Sequence, residues 1–213
     1  MKGGYFNWKR IISEVLLTEG AKRVKIPPLR VKLSGKVNPY PIISLLVFNR
    51  DKKMIRHFTS TVFVVFQNNI ALHWHEKVNM WLPPGGHIDI NEDPIQAATR
   101  ECKEEMGIDI SIFSNSKYKF NDKNLKNIYP PETILLESVE DPKIGSHQHI
   151  DFIYFGYPVE SNFTLSDEWI WVDHQQLSDD VKFKNPYSKY FAPPNDVKVL
   201  GLEAIVKLKN LNF

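Results

Sequence analysis

Glu101, Glu104 and Glu105 stand at i, i+3 and i+4, so on a helix their carboxylates converge on one stripe. Three such groups repel one another and cost helix stability unless a cation lies among them. Oxygen-only donors suit hard divalent ions, Mg²⁺ or Mn²⁺, which keep part of their water shell and bridge phosphate oxygens. Arg100, one turn before Glu104, can orient a carboxylate. The preceding Gly85-Gly86 pair lets backbone approach closely enough for a carbonyl to complete the metal shell. A Glu-rich helix face alone reads as a solvated surface. The Gly-Gly turn, the spacer after it and Arg100 are what turn the reading toward chemistry.

A helix has to hold these groups, and its signals are present. Asp93 sits where an N-cap belongs, Pro94 follows at the first helical position, and Gln96 completes a capping box. Gly107 supplies the stop, which predicts a helix over Pro94–Met106. Ile95, Ala98, Cys102 and Met106 form an apolar stripe beside the carboxylates, the side that must face a core.

Other elements follow from periodicity. Thr59–Phe66 is rich in β-branched and aromatic residues and predicts a strand, Gln67-Asn68-Asn69 a turn, and Ile70–His75 a second, alternating strand closing a hairpin. Further strands are expected at His147–Phe155 and Trp169–Val172, with polar loop over residues 114–127. After Pro193-Pro194, a helix capped by Asn195 or Asp196 carries Val197, Leu200, Ala204, Ile205, Leu208 and Leu211 on one stripe. Residues 1–55 read as a prelude, with a helix from the Asn7 cap to Gly20 and an apolar run Pro41–Phe48 that needs cover. That prelude is expected to form a homodimer interface or a substrate lid.

Histidines are the second group that could do chemistry. On a strand, His147, His149 and Asp151 share one face by the two-residue period. The pairs His73/His75 and His147/His149 raise zinc, since imidazole is a preferred Zn²⁺ ligand, but closed structural zinc sites more often include cysteine. Here the only cysteine, Cys102, falls on the buried stripe. The reading adopted is that His147, His149 and Asp151 line a substrate cleft beside the metal helix, with His87 similarly placed and able to meet phosphate oxygens. Trp169, Trp171, Tyr154, Phe155 and Tyr157 are read as core rather than as a base-stacking platform.

Composition narrows the class. The chain has 213 residues, 42% hydrophobic and 24% charged, with 27 Lys plus Arg against 25 Asp plus Glu. This is ordinary globular composition, and a net charge of +2 gives no electrostatic reason to expect a nucleic-acid or membrane partner. A lone cysteine, no span of roughly 18 apolar residues and no secretory signal at the start predict a soluble cytoplasmic protein.

The stretch around the helix resembles a known family. Gly86, five residues, Glu92, seven residues, Arg100-Glu101, then Cys102, Glu104-Glu105, Gly107 and Ile108 is similar to a complete Nudix box, with Cys102 where Ile, Leu or Val is usual. The hairpin, the Trp81-to-Gly86 lead-in, the His147 strand and Trp171-Val172-Asp173 fall where that family has comparable features. The resemblance implies an α/β (α+β) fold: a mixed sheet sandwiched between helices, built by residues 56–213 and preceded by a 1–55 extension. It implies that Glu101, Glu104 and Glu105 bind Mg²⁺ or Mn²⁺ with the Gly85 carbonyl, and that Glu92 and Arg100 brace the loop. It also implies hydrolysis of a pyrophosphate linkage in a nucleoside diphosphate derivative. The general base would be Glu101 or Glu105, with Glu137, Glu160 and Glu168 as loop candidates. Two other classes share the fold: nucleotide sensors, which typically lose box carboxylates, and isopentenyl diphosphate isomerases, whose cysteine and glutamate partners this sequence does not place. Markers for ADP-ribose (Pro) or dinucleoside polyphosphates (Tyr) are absent from Lys119–Asn127.

Overall fold

The computed structural model describes residues 54–118, 120 and 122–209. The expected Asn7–Gly20 helix, the Pro41–Phe48 run and Leu211 lie outside the described residues, as does all of the 1–55 prelude except Met54 and Ile55. The elements in order are β1 Arg56–Phe66, β2 Asn69–His75, β3 Met80–Leu82, β4 Gly85–His87, α1 Pro94–Met106, β5 Ile110–Ile112, β6 Thr133–Asp141, β7 Gly145–Pro158, β8 Trp169–Asp173, α2 His174–Ser178, β9 Phe183–Lys184, β10 Tyr190–Phe191 and α3 Asn195–Leu208.

The hairpin forms through Gln67 and Asn68, both at positive φ (48° and 61°), with Val65 opposite Ile70 and Phe66 opposite Asn69. This is the two-residue turn whose twist matches antiparallel strands. β1 then serves two more partnerships. Its first nine residues run parallel to β7, from Arg56 opposite Gln148 to Val64 opposite Gly156, and Thr59–Thr61 pair antiparallel with β4. β7 in turn carries β6 and β5, while β2 carries β3 and β8. The result is a mixed sheet with β1 at its centre.

Alternation along β1 sorts the two sides. Val62 and Val64 face Ala98, Cys102 and Met106 of α1, whereas Phe63 and Val65 face Val197, Ala204, Ile205 and Leu208 of α3. Helices therefore cover both faces, as a two-residue period with both phases apolar requires. Aromatics assigned to the core are there: Tyr154 and Phe155 are buried, as is Trp169, while Trp171 and Tyr157 are partly buried.

Two expectations need correction. α3 is capped by Pro194 rather than by Asn195 or Asp196. The proline ring sets φ at −56° and its carbonyl accepts the Lys198 N–H at 2.9 Å, so the helix starts without a side-chain cap. Glu137, expected on a loop, lies in β6, opposite His149 of β7. The strand β6 itself was not anticipated. Among the described residues no helix is long and apolar enough to cross a membrane.

Candidate active site

The cradle begins with the capping box. Asp93 accepts the Ile95 and Gln96 N–H groups at 3.1 and 2.9 Å, Gln96 returns a bond to the Asp93 N–H, and Gly107 closes the helix at φ 74°. Ser60 on β1 donates to the Pro94 carbonyl at 2.7 Å, which fixes the first turn against the sheet. At the other end, the Trp169 indole N–H donates to the Glu105 carbonyl at 3.2 Å. The helix is thus tied at both ends, with Ala97, Ala98, Cys102 and Met106 buried along it and Ile95 packed partly against that core.

Arg100 organises the polar side. Its Nε and Nη2 grip Glu92 in bidentate fashion, each at 2.9 Å. Nη1 reaches Glu101 at 2.7 Å and Glu104 at 3.2 Å, and Nη2 also donates to the His87 carbonyl at 2.9 Å. One planar guanidinium thus joins the β4 end, the loop and the helix. These bonds hold Arg100 protonated, and Arg100 together with the Asp89 N–H holds Glu92 below the usual carboxylate range.

Glu105 is the carboxylate that Arg100 does not reach. It accepts the Gly85 N–H at 3.2 Å through Oε2. Desolvation in the cradle wall, followed by repulsion from Glu101 and Glu104, pushes it up to about 7 against that hydrogen bond. Gly85 packs so tightly on β1 that a Cβ there would lie 2.7 Å from the Ser60 carbonyl oxygen, and one on Gly86 would lie 2.3 Å from Glu101 Oε1. The two glycines let β4 lie against β1 and let Glu101 lie against β4. The expected helix carboxylates, Gly85, Arg100 and Glu92 are therefore brought together around one corner.

Beyond that corner is a cleft of about 330 Å³. Gly85, Gly86 and His87 form its edge, and Lys77, Glu137, His147, His149 and Asp151 are among its other walls. The helix glutamates are not among the residues lining it; β4 is where cleft and cradle meet. Asp151 lies at the bottom, 4% exposed, with its oxygens taken by the Thr59 and Thr61 hydroxyls at 2.9 and 2.8 Å. Burial pushes its carboxyl up against those two bonds. Glu137 is pushed up to about 7 by burial, then by Asp151 and Asp196. His73 and His75 also face the cleft, His73 stacked on Trp169 with centroids 4.6 Å apart, and burial followed by His75 holds His73 down at about 4. Glu160 and Glu168 are exposed and do not line the cleft.

Sequence reasoning missed two participants. Lys77 stands exposed at the cleft, a cation in a turn that carries no motif. His57 packs among His87, His147 and His149, with ring centroids 5.2, 5.0 and 6.0 Å away. No local signal pointed to His57, because what brings it there is the pairing of β1 with β7. Burial lowers His87 and His149, the latter to about 4, and the neighbouring imidazoles lower them further.

The chain is similar to known proteins over most of its length. The NUDIX domain family model matches residues 43–192. The chain is 30% identical over 145 residues to an RNA pyrophosphohydrolase of Bartonella henselae, covering 63% of this chain and 76% of that protein. It is 32% identical over 151 residues to a probable DHNTP pyrophosphohydrolase of Lactococcus lactis subsp. cremoris, covering 67% and 73%. Among solved structures, a NUDIX-family hydrolase from Clostridium perfringens superposes with a TM-score of 0.55 at 28% identity, covering 73% of this chain and 99% of that one.

Proposed function

The chain belongs to the Nudix family, whose pyrophosphohydrolases cleave phosphoric anhydrides, and from that premise we propose that it hydrolyses the pyrophosphate linkage of a nucleoside diphosphate derivative with Mg²⁺ or Mn²⁺ at Glu101, Glu104, Glu105 and the Gly85 carbonyl. The observation that carries this reading is the charge imbalance at the cradle: Glu92, Glu101 and Glu104 gather about a single guanidinium, and Glu105 stands beside them with, among the described residues, only the Gly85 N–H as partner. Such a donor set fits a hard divalent ion, and the missing Cβ of Gly86 keeps the Glu101 carboxylate at the cradle wall. When bound, the ion supplies an activated water and neutralises charge on the anhydride.

The chain's own groups do the rest. Arg100 and Glu92 hold the loop and aim Glu101 and Glu104. Glu101 or Glu105 accepts the proton of the attacking water, and Glu105 already takes the Gly85 N–H at Oε2. His87, His147 and His149, with Asp151 beneath them, form the wall facing the substrate phosphates, and Lys77 adds charge at the mouth.

The relatives named above act on an RNA and on DHNTP. The panel that tests the reading therefore includes nucleoside diphosphate derivatives, triphosphates and 5′-triphosphorylated RNA, each with Mg²⁺, with Mn²⁺ and with chelator. Turnover that needs the metal and falls by at least a hundredfold in Glu105→Gln, at unchanged melting temperature, supports it. Metal-independent turnover, or normal turnover in that variant, overturns it. Isomerase chemistry finds no support here, because Cys102 is fully buried against the sheet.

A further inference from the structure

The four clustered histidines are built more specifically than a phosphate-facing wall requires. His57 on β1 and His149 on β7 are register partners in the parallel ladder, while His87 on β4 is the antiparallel partner of Thr59, two residues further along β1. Three adjacent strands therefore present one imidazole each toward a common point. Their ligating nitrogens all lie within 4.8 Å of one another. His57 Nδ1 is 3.2 Å from His87 Nε2, and His147 Nε2 is 3.1 Å from His149 Nε2. A tetrahedral Zn²⁺ with Zn–N bonds of 2.0–2.1 Å separates its nitrogens by about 3.3 Å, so the His57–His87 spacing is close to that of two ligands sharing an ion, and His149 has a ring nitrogen within 4.8 Å of both.

Tautomers point the same way. His147 Nδ1 lies 2.9 Å from the Gly145 carbonyl, which can only accept, so that nitrogen carries a proton and Nε2 is the ring atom turned toward His149. Among the described residues, no carboxylate is hydrogen-bonded to any of the four rings. Nitrogen-only donors select softer transition metals over Mg²⁺.

We propose that His57, His87 and His149 bind a transition-metal cation of the zinc class, at a site separate from the carboxylate cradle and joined to it through His87, with His147 as the neighbouring imidazole. Three ligands from three strands leave a coordination position for water or a phosphate oxygen, and the ion clips β1, β4 and β7 together. The site does not depend on the reading of the carboxylates.

The test uses the full chain, stripped with chelator and titrated with Co²⁺ or Zn²⁺ alone in excess Mg²⁺. One equivalent of Co²⁺ is expected to bind with the intense visible absorption of tetrahedral nitrogen coordination, to be displaced by Zn²⁺, and to raise the melting temperature. His57→Ala and His149→Ala, checked to be folded by their metal-free melting temperatures, should each weaken Co²⁺ binding at least tenfold. Glu105→Gln and His174→Ala should leave the spectrum unchanged. No absorption in the parent chain, binding insensitive to both histidine variants, or a signature lost in Glu105→Gln would each overturn the proposal. The last outcome would place the ion among the carboxylates.

Discussion

Replacing Gly86 by alanine isolates the cradle from the fold. The added Cβ would stand 2.3 Å from Glu101 Oε1, 2.4 Å from Cδ and 2.8 Å from Oε2, whereas ordinary contact begins at 3.4 Å, so the carboxylate must retreat by 3.4 − 2.3 = 1.1 Å. It can do so, because it is the end of a flexible side chain and Gly86 is not at positive φ. The retreat pulls Glu101 from its 2.7 Å contact with Arg100 and from the place where it would hold an ion. Misplacing a positioning group by 1 Å costs about a hundredfold in rate, or about 2.7 kcal/mol of barrier. Initial rates with the best substrate of the panel, measured across Mg²⁺ concentrations beside a thermal melt, should show kcat/KM down about a hundredfold, a weaker apparent metal affinity and an almost unchanged Tm. Gly85→Ala should behave oppositely, because its Cβ meets backbone, the Ser60 oxygen at 2.7 Å and Thr61 Cα at 2.9 Å, and the sheet must give. A Gly86→Ala enzyme within threefold of the parent at limiting metal, or one that melts as early as Gly85→Ala, would refute this reasoning.

Two further outcomes test the cleft. Glu137 has its folded pKa raised from 4.5 to about 7, so its contribution to stability is intact below about pH 4.5 and is lost as pH climbs through about 7. In the metal-free chain, Glu137→Gln should therefore match the parent at low pH and exceed it at neutral pH, by at most about 3 kcal/mol and by less after solvent screening; a difference that does not vary with pH refutes the assignment. Thr61→Val removes the 2.8 Å hydroxyl bond to the buried Asp151, which at about 1.5–3 kcal/mol lowers Tm by about 3–12 °C; a shift under about 1 °C would show that Asp151 does not depend on it.

What could be read ahead of the structure was local. The capping box, the stop at Gly107 and the hairpin at Gln67-Asn68 each lie within a few residues of the groups they organise, and each appears where its signals stood. Glu101, Glu104 and Glu105 were legible for the same reason, since helix spacing alone brings them together. β6 was not legible. Its Ile134, Leu135 and Leu136 break simple alternation, and the strand exists because β7 supplies a ladder along Thr133–Asp141. His57 escaped for a related reason, as its partners are chosen by a parallel register that no turn encodes. At Pro194 a fixed φ replaces the side-chain bond that Asn195 or Asp196 would supply.

The central position of β1 sets an order of assembly. α1 carries its own capping box and stop, and the hairpin can form as soon as it leaves the ribosome, since its contacts are short in sequence. The β1–β7 pairing cannot, because groups such as Thr59 and Asp151 are 92 residues apart, and distant closures come late. During synthesis the carboxylate helix therefore exists before the histidine wall. Any chain interrupted ahead of Gly145 holds half a site, with the backbone N–H and C=O groups of β1 that await β7 still open to water or to other nascent chains.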